Sequence, residues 1–121
     1  MERDNTMANS EQKRKAAAAA RLYLEMRGFS IVEQNFRRPK SLIDIIAKKQ
    51  ATVYFVEIQY HREAELPAAA SSTTNSDRIQ ELELGAAGWI EETKWAGDHR
   101  FASIEISGSD FLIMGFIDNL F

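Results

Sequence analysis

The sequence predicts a mixed α/β domain with the element order α-β-β-β-α-β-β. Three observations carry this expectation. An Ala-rich stretch of helix-forming residues ends at Gly28. Two apolar, β-branched runs, Leu42-Ile43-Asp44-Ile45-Ile46 and Val53-Tyr54-Phe55-Val56-Glu57-Ile58, stand close together with a short polar segment between them. Further on, Ile79, Leu82, Ala86, Trp89 and Ile90 recur at the spacing of a helix with one buried face.

Residues 1–9 are polar and lack the apolar core of a secretory signal, so they are expected as a disordered tail on a cytoplasmic chain, with residues 10–121 as a single domain. The first helix is expected from Asn9 or Ser10, either of which can cap it, through the Ala16–Ala20 run to Gly28. Phe29 to Gln34 alternates weakly as a first strand. The second and third strands follow, with Lys48-Lys49-Gln50-Ala51 as their turn. Residues 62–76 hold a proline, small residues and hydroxyls and read as a long loop, after which Ser76 can cap the second helix. Phe101–Ser107 and Phe111–Ile117 close the chain as two strands joined at Ser107-Gly108-Ser109-Asp110. The expected core includes Leu24, Phe29, Ile31, Ile43, Ile45, Val56, Ile58, Leu82 and Trp89, with the sheet centred on residues 42–47 and 53–59.

Composition excludes several classes. With no cysteine there is no disulfide, thiolate nucleophile or Cys-based zinc site, and His61 and His99 alone are too few for a His-rich metal site. No apolar run approaches a membrane span. Charge is uneven: residues 1–40 carry nine Lys/Arg against five Asp/Glu, net +4, and residues 41–121 carry six against thirteen, net −7. The basic part permits one phosphate-facing patch, and Arg37-Arg38-Pro39-Lys40, just ahead of Asp44, is its sharpest cluster.

Asp44 and Glu57 are the residues that ask for chemistry. Each is a carboxylate inside an apolar strand, where an uncompensated charge costs several kcal/mol, on the order of 3–5 when a buried partner is missing. Side-chain alternation groups Leu42, Asp44 and Ile46 on one side and Phe55, Glu57, Gln59 and His61 on one side of the next strand. If those sides coincide, the two carboxylates converge on a divalent ion. The other reading pairs each with an arginine such as Arg37, Arg38 or Arg62.

The order of Tyr23-Leu24, Gly28-Phe29, Asn35-Phe36-Arg37, Ile43-Asp44-Ile45-Ile46-Ala47, Phe55-Val56-Glu57-Ile58, Ala86, Trp89 and Arg100-Phe101 resembles the small bacterial YraN family, whose members resemble PD-(D/E)XK nucleases and Holliday junction resolvases. The resemblance covers the chain from Ala16 onward. It implies a restriction-endonuclease-like core, a mixed sheet flanked by helices. In it Asp44 and Glu57 hold Mg²⁺, the residue two after the Glu, Gln59, helps to activate water, and Arg37, Arg38, Lys40 and Arg78 contact nucleic acid, with DNA the expected partner and a homodimer a further expectation from resolvase-like relatives. The chain departs from that pattern. Ala16-Ala17 and Ser41-Leu42 stand where the family carries Gly-Glu pairs, Gln59 replaces the Lys of E-x-K, Ala102 replaces an acidic residue, and Arg78 matches a Lys. Gln59 can bond a water or phosphate but brings no positive charge. Three readings therefore stay open: a metal-dependent endonuclease, a nuclease-like binding module without the reaction, and a protein-interaction module using the acidic second helix.

Overall fold

The computed structural model describes the backbone of residues 2–62 and 76–120 and the side chains of 10–62 and 77–120. It is a mixed α/β fold in which two helices flank a five-stranded sheet, in the element order read from the sequence. Helix α1 spans Glu2–Met26, so it begins ahead of the expected Asn9–Ser10 start. Its end is set by Gly28 at φ 93°: Phe29 N–H reaches the Leu24 carbonyl at 3.0 Å and Gly28 N–H the Glu25 carbonyl at 3.1 Å, the paired bonds of a Schellman stop. Strands β1 (Ser30–Arg38), β2 (Ser41–Lys49) and β3 (Thr52–His61) then form an antiparallel meander. Pro39 followed by Lys40 at φ 68° makes the first reversal, and Gln50 at φ 57° the second.

Helix α2 (Ser76–Thr93) carries the chain across to β4 (Asp98–Ser107), which lies parallel to β3, and β5 (Leu112–Ile117) returns antiparallel at the edge. The sheet order is thus β1-β2-β3-β4-β5, with β3 at its centre. The residues read as a loop before α2 and the proposed cap of Ser76 lie outside the described side chains and, for 63–75, outside the described residues.

Each helix covers its own face. Ala16, Ala20 and Leu24 of α1 pack with Phe29, Ile45, Ala47, Val56, Ala102, Ile104 and Ile106. Leu82, Ala86 and Trp89 of α2 pack with Phe36, Ile43, Ile46, Val53, Phe55 and Phe101. Ile45 and Ile46, consecutive in β2, belong to different clusters, as a strand buried on both sides requires. Of the expected core, Leu24, Phe29, Ile43, Ile45, Val56, Leu82 and Trp89 are buried, whereas Ile31 and Ile58 are half-buried. One close approach brings α2 onto β2: a Cβ at Gly85 would lie 3.0 Å from Ile43 Cδ1 and 3.4 Å from Ser41 Cβ, so any larger residue there would require Ile43 to shift.

The first strand is longer than Phe29–Gln34 and takes in Asn35 to Arg38. That changes the geometry of the basic cluster, because consecutive strand residues point to opposite faces.

Candidate nucleic-acid and metal site

The rung shared by Asn35 and Asp44 interrupts the sheet. Pairing of β1 with β2 runs from Gln34↔Ile45 to Phe36↔Ile43 without it, and pairing of β2 with β3 ends at Ile45↔Val56. Asn35 sits at φ 55°, a left-handed conformation that asparagine tolerates better than other non-glycine residues. Because the irregularity resets the alternation, Ile43 joins the α2 cluster although Ile45 joins the α1 cluster. The expectation that Leu42, Asp44 and Ile46 share a side therefore fails: Ile46 packs under α2, while Leu42 and Asp44 line a cleft beneath the first half of α1.

That cleft is about 400 Å³. Asp44 and Ile58 form part of its wall, Ala17 and Leu42 face into it, and Lys13 and Arg37 add the positive charges. Asp44 is partly buried, and its Oδ2 accepts a hydrogen bond from the Ile58 backbone N–H at 2.8 Å. The carboxylate thus takes a backbone donor of β3 beyond the last rung of the β2–β3 ladder. Burial pushes the Asp44 pKa up. The Ile58 N–H, Arg78 and Lys13 pull it down, and Glu57 pushes it up again. Glu57 is thus near enough to act on the Asp44 charge, but it is not among the residues that line the cleft.

Glu57 has a protein partner already. Arg78, in the first turns of α2, places Nε 3.0 Å from Glu57 Oε2 and NH1 2.8 Å from Glu81 Oε1. The pair is largely enclosed, with the two side chains 19% and 12% exposed. Burial works against the Arg78 charge, but its bonds to Glu81 and Glu57 outweigh it and raise its pKa. The arginine that meets a strand carboxylate is thus none of the three weighed from sequence. A single guanidinium on α2 sits in the fields of both acids.

The basic cluster divides. Arg37 lines the cleft with Asp44, whereas Arg38 lies over the Phe36 ring at 4.1 Å and donates from Nε to Glu92 Oε2 of α2 at 2.7 Å. That bond lowers the Glu92 pKa and raises that of Arg38. Lys40 is exposed at the hairpin turn. Gln59, which strand alternation puts on the Glu57 side of β3, is half-buried beside its β4 partner Glu105, which itself holds His61 at 3.0 Å. It is not among the residues that line the Asp44 cleft.

Two contributors were missed from sequence. Lys13 is one helical turn before the buried Ala16-Ala20-Leu24 stripe, so extending that face backward would have found it. Asn35 was noted only as part of a resemblance, and an asparagine amid strand residues is itself a signal for a left-handed kink. Among the described residues no group of three or more His, Cys, Asp or Glu side chains is placed to hold a metal, and no helix is long and apolar enough to cross a membrane.

A family model described as "Uncharacterised protein family UPF0102" matches residues 16–106. The chain is 33% identical over 107 residues to a UPF0102 protein of Desulfosudis oleivorans, covering 86% of each chain. It is 41% identical over 96 residues to the UPF0102 protein YraN of Salmonella typhi, covering 77% of this chain and 72% of that one. A UPF0102 protein of Cytophaga hutchinsonii is 31% identical over 90 residues, 73% of this chain and 77% of its own.

Proposed function

Since the chain belongs to the UPF0102 family, we propose that it is an endonuclease-like protein that binds a nucleic-acid backbone, DNA first among them, in the cleft under α1. The observation that carries this is the juxtaposition of Lys13 and Arg37 with the partly buried Asp44, beside Glu57. Neither Lys13 nor Arg37 has an ion-pair partner among the described residues, so both can take a phosphate at no cost in broken pairs.

Asp44 and Glu57 are the residues that would hold Mg²⁺. The fit rests on donor chemistry: two hard carboxylate ligands suffice for an ion that keeps several waters and takes the rest of its shell from substrate phosphate. Burial of Asp44 favours an added cation there. When bound, the ion would polarise the phosphoryl group and lower the pKa of a coordinated water. Arg37 would hold the adjoining phosphate, and Gln59 would orient a water by hydrogen bonding alone.

A second reading, binding without cleavage, has its own support. Ala17 and Leu42 line the cleft at the two positions where the YraN pattern has glutamates, so it keeps one carboxylate, Asp44, against two cations. Glu57 is also neutralised by Arg78. Calorimetric titration of Mg²⁺ and Mn²⁺, with wild type and Asp44→Asn, decides between the readings. Saturable binding lost in Asp44→Asn supports the metal-dependent form. Nucleic-acid binding that ignores divalent ions supports the second. Absence of any nucleic-acid binding at low salt sinks both.

A further inference from the structure

A second groove, about 500 Å³, runs along the outer side of α1 against β1 and shares Lys13, Ala17 and Asn35 with the Asp44 cleft. Its other cations are Arg14 and Arg21. Positions 10, 13, 14, 17 and 21 fall on one face of a helix. Arg14 contacts Glu11, and Arg21 contacts Glu25 and Gln34, but these are exposed surface contacts that a phosphate can replace. Lys13 stands at the junction of groove and cleft. It also lies ahead of residues 16–106, which match the family model.

We propose that the groove between α1 and β1 is a track for a sugar-phosphate backbone, and that Lys13 holds the phosphate at the point where the track enters the Asp44 cleft. This rests on the nucleic-acid reading above and names the path within it. From Lys13 to Arg21 the helix rises about 12 Å, long enough to meet more than one phosphate of a single strand. The positive charge that Gln59 does not bring is then supplied from α1, where Lys13 lines the cleft with Asp44. Arg37 lines the same cleft. A backbone lying along α1 therefore meets Arg14, Arg21 and Lys13 on the helix, and Arg37 and Asp44 in the cleft it enters.

Lys15 provides a matched control. It is two residues on in the same helix, carries the same charge, and faces a different hollow with Tyr60, Ser109 and Phe111. Fluorescence anisotropy of labelled single-stranded and duplex oligonucleotides, DNA and RNA, is measured in chelator over a range of salt for wild type, Lys13→Ala, Lys13→Arg and Lys15→Ala. Lys13→Ala is expected to lose roughly tenfold in affinity at about 50 mM salt and to lower the salt slope by about 0.7 to 0.9. Lys13→Arg should retain binding, and Lys15→Ala should change it far less. Lys13 is exposed, so an unchanged melting temperature checks that the fold is intact. Equal losses in Lys13→Ala and Lys15→Ala, or none in Lys13→Ala while wild type binds, overturn the track alone. Failure of wild type to bind any oligonucleotide overturns the nucleic-acid reading and the track together.

Discussion

Replacing Asp44 separates its charge from its hydrogen bond. Asp44→Asn keeps an oxygen for the Ile58 N–H, 2.8 Å away, and removes a carboxylate whose pKa is raised chiefly by burial. A carboxylate with a folded pKa above its unfolded value destabilises the fold while it is ionised. That penalty is present above the raised pKa, fades as pH falls through it, and is gone below the ordinary value, each unit of elevation being worth about 1.4 kcal/mol. Asp44→Asn is therefore expected to be more stable than wild type at pH 7 in chelator, with the difference vanishing in acid. Asp44→Ala removes the charge and also strands the Ile58 N–H, which costs about 1–3 kcal/mol relative to Asn. For a chain of this length about 1 kcal/mol moves the midpoint by roughly 4 °C, so Asn and Ala should differ by roughly 4–12 °C in thermal melts followed by circular dichroism. Asp44→Asn less stable than wild type at neutral pH, with a gap that widens as pH rises, would refute the reasoning, since it would mean that the charge is fully compensated within the protein.

Other outcomes follow from the same contacts. Arg37→Ala should weaken oligonucleotide binding and lower its salt slope by about one, while Arg38→Ala, whose charge is engaged by Glu92, should leave both nearly unaltered; equal effects in anisotropy titrations would contradict the division of the cluster. Gln59→Lys restores the E-x-K pattern beside Glu57 and should raise Mg²⁺-dependent nicking of supercoiled plasmid, and an unchanged gel pattern in a variant that binds the ion would show that the lost Lys does not limit chemistry. Gly28→Ala puts a Cβ on a residue at φ 93° where it would meet only Lys49 Cε, at an ordinary 3.7 Å, so the cost is conformational, about 1–2 kcal/mol, and readable in urea denaturation.

Helix and strand types were legible because they rest on local periodicity: the Ile/Val/Phe runs became β2 and β3, and the Leu82-Ala86-Trp89 stripe became the buried face of α2. The surroundings of Asp44 and Glu57 were not. A single kinked rung at Asn35 and Asp44 reversed the faces of the residues beyond it, a non-local event that alternation counting does not register. The partner of Glu57 lies 21 residues away on α2, and Lys13 sits 31 residues before Asp44, so neither contact has a spacing that sequence can read.

Beyond that rung the tip of the β1–β2 hairpin is no longer laced to β3, and it is α2 that steadies it, through Phe36 and Ile43 in the apolar layer and Arg38 on Glu92. Gly85 of α2 lies against this tip, beside Ile43 and Ser41. A Cβ there would lie 3.0 Å from Ile43 Cδ1, closer than such contacts usually run, on the same hairpin that carries Leu42 and Arg37 to the cleft. The hairpin that brings Asn35, Arg37, Leu42 and Asp44 to the cleft under α1 is thus held from the other face of the sheet, by a helix that does not line the cleft.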